Sequence, residues 1–153
     1  MEKEIKLDEK VVVKSIAPWA TGAKRQLSIG DIMIQPKGSI SLTREEIIAQ
    51  AQTGNKLFTG IDGAGTHATW YIQDEYTRKE LEFDTDDTKQ SVISNEEIKK
   101  IFDLKTKKSF EENIKKKIVT RAEKCALIAA IKDLKINDYD RIVFCEQYTG
   151  NKL

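Results

Sequence analysis

The stretch "GIDGAGTHATWY", residues 60–71, places three glycines beside the chain's one histidine. Gly60 and Gly65 have the Gly-x4-Gly spacing of a loop that cradles a phosphate on its backbone amides. That chemistry needs Lys-Ser/Thr next, and then a helix whose N-terminal N–H groups face the anion. Here Thr66 and His67 follow, and a strand-like run comes after them. The dinucleotide fingerprint Gly-x-Gly-x-x-Gly is also missing. Asp62-Gly63 between "KLFTGI" (56–61) and "THATWYIQ" (66–73) reads as a β-hairpin turn, with Gly65 available for a bulge. The imidazole of His67 titrates near neutrality, and Asp62 and Thr66 are close enough in sequence to orient it as a base. No nucleophile accompanies it, so no catalytic residue is assigned. Period-two alternation puts Thr66, Ala68, Trp70 and Ile72 on one face, with Trp70 in the core. It puts His67, Thr69 and Tyr71 on the other. Together with Trp19 and the adjacent Lys24 and Arg25, these three form the candidate ligand or partner surface, weighed against a sheet face that the C-terminal helices cover.

A second kind of chemistry is offered by "KTKKSFEENIKKK", residues 105–117. Lys105, Lys107, Lys108, Lys115, Lys116 and Lys117 could each neutralise a phosphate. Glu111 and Glu112 interrupt the run, and no aromatics interleave for stacking on bases. A solvated helix face is the preferred reading, and nucleic-acid binding, with Tyr71 or Trp19 stacking a base, is the alternative. Metal chemistry is not expected, because His67, Cys125 and Cys145 lack the paired spacing of zinc ligands. "DTDDTKQSVISN" (84–95) begins like a calcium loop but lacks its glycine at the sixth position and its glutamate at the twelfth. Both cysteines sit in apolar surroundings and read as buried thiols. No cofactor is expected.

These residues must be held by elements, and the chain carries signals for two kinds. "VVVKSIA" (11–17), "DIMIQ" (31–35) and "SISL" (39–42) read as strands, "PWATGAKRQLSIG" (18–30) as a loop and "PKG" (36–38) as a turn. Thr43 and Glu46 form a capping box for a helix over 44–53 that Gly54 ends. Asp74 caps a short helix in "EYTRKELE", and Phe83 anchors it. Residues 85–93 are polar and acidic and read as a linker between a β-rich domain, 1–84, and a helical domain, 94–153. In the latter, Ser94/Glu97, Ser109/Glu112 and Thr120/Glu123 are further capping boxes. Thr120 splits 109–134 into two helices in the preferred reading, because one unbroken helix would spread its apolar residues around the whole wheel, and the unbroken helix is the alternative. Asn137 or Asp138 can cap a last helix stopped at Gly150, and a strand over "RIVFCEQY" is the alternative.

Three strands, a helix and a hairpin is an element order that resembles the OB-fold and suits other small half-open barrels of the SH3 kind. The expected class is thus α+β, a small half-open barrel with an inserted helix followed by a compact helical region. Fold class says little about function.

The 153 residues carry 26 Lys/Arg and 25 Asp/Glu, a net charge of +1, so no whole-chain field points to nucleic acid or membrane. Charge is nonetheless uneven: 12 basic and 15 acidic residues over 1–93 (−3), then 14 and 10 over 94–153 (+4). The N-terminus is charged throughout and does not read as a signal peptide, and no apolar run is long enough to span a bilayer. A cytoplasmic location is expected. The usage, rich in Lys, Ile and Glu, suits an accessory protein of a low-GC bacterium or its phage. The function expected is non-catalytic binding, to a protein partner or to further copies of the chain. A small nucleotide- or phosphate-binding protein, or a small enzyme, using the 60–67 glycine loop and His67 is the third reading.

Overall fold

A computed structural model describes residues 6–87, 90 and 92–153. The chain forms two compact units, one of residues up to Ser15 with Trp19–Val92, the other of Ile16–Pro18 with Ile93–Leu153. In the first, β1 (Lys10–Ser15) alternates exposed and buried residues along its whole length. It is the centre of a three-stranded antiparallel sheet between β4 (Ser39–Thr43) and β5 (Trp70–Ile72). Val13 lies opposite Ile40 on one side and Ile72 on the other, so one face of the sheet is apolar. β2 (Thr21–Lys24) and β3 (Asp31–Ile34) form a separate two-stranded antiparallel sheet. The Trp70 indole N–H donates to the Thr21 hydroxyl at 2.7 Å, which ties the two sheets together. Trp70 also meets Phe58 edge-on at 5.2 Å, within a core that includes Val11, Ile32, Ile34, Leu42, Ile47 and Phe83.

Three helices complete this unit: α1 (Arg44–Gln52), α2 (Lys56–Thr59) and α3 (Glu75–Glu80). α1 and α3 stand where their caps place them, behind Thr43 and Asp74. α2 corrects the sequence reading. Residues 56–61 were expected as a strand, but the Asn55 side chain accepts from the Leu57 amide at 3.0 Å and starts a helical turn. No hairpin therefore forms across Asp62-Gly63. The loop closes instead through Gly65 N–H to Thr59 O at 2.7 Å and Ile61 N–H to Thr66 O at 3.0 Å. Gly60 has φ 71°, and a Cβ there would sit 1.9 Å from the Thr66 carbonyl oxygen, so only glycine fits.

The stretch expected as one loop over 18–30 holds β2. "TGAK" has little apolar alternation, and Gly22 is in a strand because a Cβ there would stand 2.8 Å from the Ile32 carbonyl oxygen across the pair. With α2 in place of a strand, and β5 only three residues long, the described residues form no closed barrel. The fold is mixed α+β, with small antiparallel sheets and several helices. Gln90, expected in the linker, is 4% exposed. Its side chain accepts from Ile72 N–H at 3.0 Å and donates toward the Phe58 and Trp70 carbonyls at 3.2 Å each. Thr88, Lys89 and Ser91 of that expected linker lie outside the described residues.

The second unit holds four helices: α4 (Asn95–Phe102), α5 (Lys107–Lys117), α6 (Arg121–Asp133) and α7 (Tyr139–Thr149). The break at Thr120 is real, and its capping box is complete, with the Glu123 carboxylate accepting from Val119 and Thr120 amides at 3.0 Å each. α6 buries Ala122, Ala126, Leu127, Ile128, Ala130 and Ile131, as a helix surrounded by others must. α5 starts earlier than its Ser109/Glu112 signal. Thr106 is the cap, accepting from Ser109 N–H at 3.1 Å, which adds a turn before Phe110 and Ile114 enter the core. α7 is a helix, capped by Asp138 and ended by Gly150 in the left-handed region. Arg141 donates to the carbonyls of Phe102 at 2.7 Å and Leu104 at 2.6 Å, closing the C-terminal end of α4.

Two outcomes follow for the first unit. Gln90→Leu keeps the volume but leaves buried backbone groups without partners, so urea unfolding should show a loss of about 2–4 kcal/mol. Asp74 gives a pH dependence. Burial pushes its carboxyl upward, but the Thr77 hydroxyl and the Arg44 guanidinium, 3.1 Å away, outweigh that and hold it below the usual carboxylate range. Stability from this group is complete above the ordinary carboxylate pKa of about 3.9 and is lost as pH falls through the depressed value. The urea midpoint should therefore drop more steeply below about pH 4 in the wild type than in Asp74→Asn.

Candidate functional site

The glycine loop is filled from within. Asp62 Oδ1 accepts from Ala64 N–H at 2.8 Å and Thr66 N–H at 3.2 Å. The Thr66 hydroxyl, against a smaller opposing effect of burial and with help from these amides, holds the Asp62 carboxyl below its usual range. A carboxylate thus takes the amides that an external phosphate would require. His67 follows at φ 56°, half-buried, and Thr69 donates its N–H to Leu57 O at 3.0 Å. Tyr71 lies in β5 opposite Lys14. The Arg78 guanidinium lies 5.1 Å from the centre of its ring, and the same group donates to Ile72 O at 2.6 Å and Asp84 at 2.9 Å. One face of the tyrosine expected to stack a ligand is therefore covered by an arginine that also braces the fold.

Cys145 is fully buried and its thiol is pushed up to about 12, first by burial and then by the nearby Glu146 charge. It is an inert core thiol at neutral pH. Cys125, expected to be buried as well, is half-buried, with the Asn151 amide 3.7 Å from its sulfur.

Lys24 and Arg25 lead into a more informative place, the tip of the β2–β3 hairpin. Arg25 N–H donates to Gly30 O at 3.0 Å and closes the tip. Below it lies Glu46, only 3% exposed. Its carboxylate oxygens accept from the Gln26 amide at 3.1 Å and, more weakly, from the Leu27 amide at 3.4 Å. Gln50, one turn along α1, donates to Lys24 O at 2.7 Å and reaches Glu46 at 3.4 Å. Asn55 donates in turn to Gln50 at 2.9 Å. A polar chain from α1 and the cap of α2 thus fastens the base of the hairpin from beneath.

What this base supports is apolar. Ile29 is fully exposed at 102%, Leu27 at 56% and Met33 at 53%. Met33 lies opposite Gly22 with its side chain near that glycine, and Lys24 lies opposite Asp31. Among the expected surface residues, Lys24 and Arg25 belong to this hairpin. His67, Thr69 and Tyr71 belong to the segment entering and forming β5, and Trp19 is half-buried between β1 and β2. Sequence reasoning missed Leu27, Ile29, Met33 and Glu46. Two apolar residues within the polar run "KRQLSIGD" were the available signal, and Glu46 was assigned to its own helix cap.

No protein-family model, curated protein or solved structure matches this chain.

Replacing Glu46 by alanine tests the support. Hydrogen bonds to a charged acceptor contribute about 1.5–3 kcal/mol, so Glu46→Ala should lower unfolding stability by that order. Trypsin should also cut after Arg25 at least about tenfold faster than in the wild type, because the freed tip opens locally.

Proposed function

We propose that the chain is a non-catalytic interaction protein that engages a protein partner, or another copy of itself, through the tip of the β2–β3 hairpin. The observation that carries this reading is a fully exposed Ile29, with Leu27 beside it, on a loop whose base is bonded to a buried carboxylate. Exposed isoleucine on a soft loop would be unremarkable, since single apolar residues are common on surfaces. A pre-ordered tip is different, because the ordering entropy is removed before binding and the contact keeps more of its energy. Burying an isoleucine or a leucine contributes about 1.5–3 kcal/mol each, enough for two anchor residues in a partner's cavity. Three apolar side chains are too few for a broad flat interface, so an inserted anchor suits the patch better. Lys24 and Arg25 at the base favour a partner with acidic groups around that cavity.

The reading does not lean on the resemblance to OB- or SH3-like half-open barrels, nor on the 60–67 loop, whose amides Asp62 occupies. Among the described residues no helix is long and apolar enough to cross a membrane.

A photo-crosslinking amino acid at position 29 tests the proposal, with position 37, in the exposed turn before β4, as the control. Position 29 is expected to give one discrete adduct, with a second copy or with one host protein, that position 37 does not give. Ile29→Asp should abolish the corresponding complex in light scattering without changing the unfolding midpoint. Equal adducts from both positions, or a complex that survives Ile29→Asp, would overturn it.

A further inference from the structure

The lysine run is divided by α5 and does not form one continuous face. Lys107 and Lys108 lie in its first turn and Lys115, Lys116 and Lys117 in its last. At 1.5 Å per residue the two groups are about 12 Å apart along the axis. The second group is continued across residues 118–120 by Arg121 and Lys124 at the start of α6. Tyr148 fixes the junction. Its hydroxyl donates to Ile118 O at 2.7 Å and reaches Lys115 O at 3.4 Å, while the Lys124 ammonium lies 5.4 Å from the centre of the same ring. The Lys124 charge is thereby held beside the carbonyl end of α5.

The sole acid between 113 and 124 is Glu123, and its carboxylate is buried in the capping box. Among the described residues, Lys115, Lys116, Lys117 and Lys124 enter no salt bridge. Cations in the last turn of α5 complement its dipole, and Lys124 is held beside the same carbonyl end. Four ammoniums thus gather at one corner without a carboxylate partner among the described residues.

The geometry points to a sequence-independent nucleic-acid site at the α5–α6 corner, formed by Lys115, Lys116, Lys117 and Lys124 on the phosphodiester backbone. Lysine is depleted at the centres of protein interfaces, which argues against an acidic protein as the occupant. Stable membrane-surface binding adds an apolar signal to the cations, and Val119 is the one exposed large apolar residue of the corner. Lysine ammoniums suit phosphates as point charges and do not read base edges. This site lies wholly within the helical unit and is independent of the hairpin reading.

Fluorescence anisotropy of the full chain with a labelled DNA duplex of about 20 base pairs tests it across about 50–200 mM salt. Four phosphate contacts give a slope of log affinity against log salt of about −3.6, a fall of roughly 150-fold over that range. Lys115→Gln/Lys116→Gln/Lys124→Gln should weaken binding at least tenfold at about 50 mM and flatten the slope by nearly 3. Lys105→Gln/Lys107→Gln/Lys108→Gln removes the same charge and should change affinity less than about threefold, because those lysines stand at the other end of α5. The pair Lys115→Gln/Lys116→Gln, both exposed, gives the same reading should the first triple unfold. Absence of duplex binding at about 50 mM salt, equal losses in the two triples, or tighter binding to phosphatidylserine vesicles than to the duplex would overturn the inference.

Discussion

A carboxylate removed from water must be given donors, and Glu46 finds its donors outside its own helix. The Gln26 and Leu27 amides bond to it, and through them the β2–β3 hairpin acquires a fixed base. Had Glu46 turned back to complete the capping box with Thr43, those two amides would lose this partner. Thr43 still accepts from the Glu46 N–H at 3.3 Å, so the cap keeps half of its bonds and the hairpin gains the other half. The apolar tip follows from this exchange. Leu27 and Ile29 are exposed on backbone that the unit holds from below.

The same logic recurs wherever the chain leaves regular structure. Asp62 fills the glycine loop, Gln90 bonds backbone groups of β5 and α2, and Arg141 closes the end of α4. Arg44, almost fully buried, is surrounded by Glu9, Asp74 and Thr77, with the Tyr76 ring 5.3 Å away. Among the described residues no buried side-chain nitrogen or oxygen is without a partner. Polar interior groups are costly when unpaired, and this chain pairs them with backbone groups or with one another. That is why its loops have definite shapes, and why a glycine-rich loop here is a closed structure and not an open anion nest.

Local signals were the legible part of the sequence. The caps at Thr43, Asp74, Ser94, Thr120 and Asp138, and the glycine stop at 150, each rest on a few neighbouring residues, and each marks a helix end in the structure. Period two placed Ala68, Trp70 and Ile72 inward correctly. Pairing over long range was not legible. "KLFT" has strand-like composition, and only the Asn55 cap and the packing of Phe58 on Trp70 make it helical. β2 was hidden because Gly22 serves a cross-strand approach that composition scores as a loop. The support of the hairpin was hidden for the same reason, since Glu46 carries a local motif and a distant partner at once. The lysine run read as one segment, whereas the Thr106 cap and the tyrosine at 148 redistribute it between two ends of a helix.

The account stands on a stiff hairpin tip, and backbone amide relaxation over residues 25–30 measures that stiffness directly. Order parameters near 0.85 for Gln26 and Leu27, matching those of β2 and β3, are the expected result. Values below about 0.6 would mean that Glu46 does not hold the loop and that Ile29 is merely a solvated residue on a mobile turn, which would contradict the central claim.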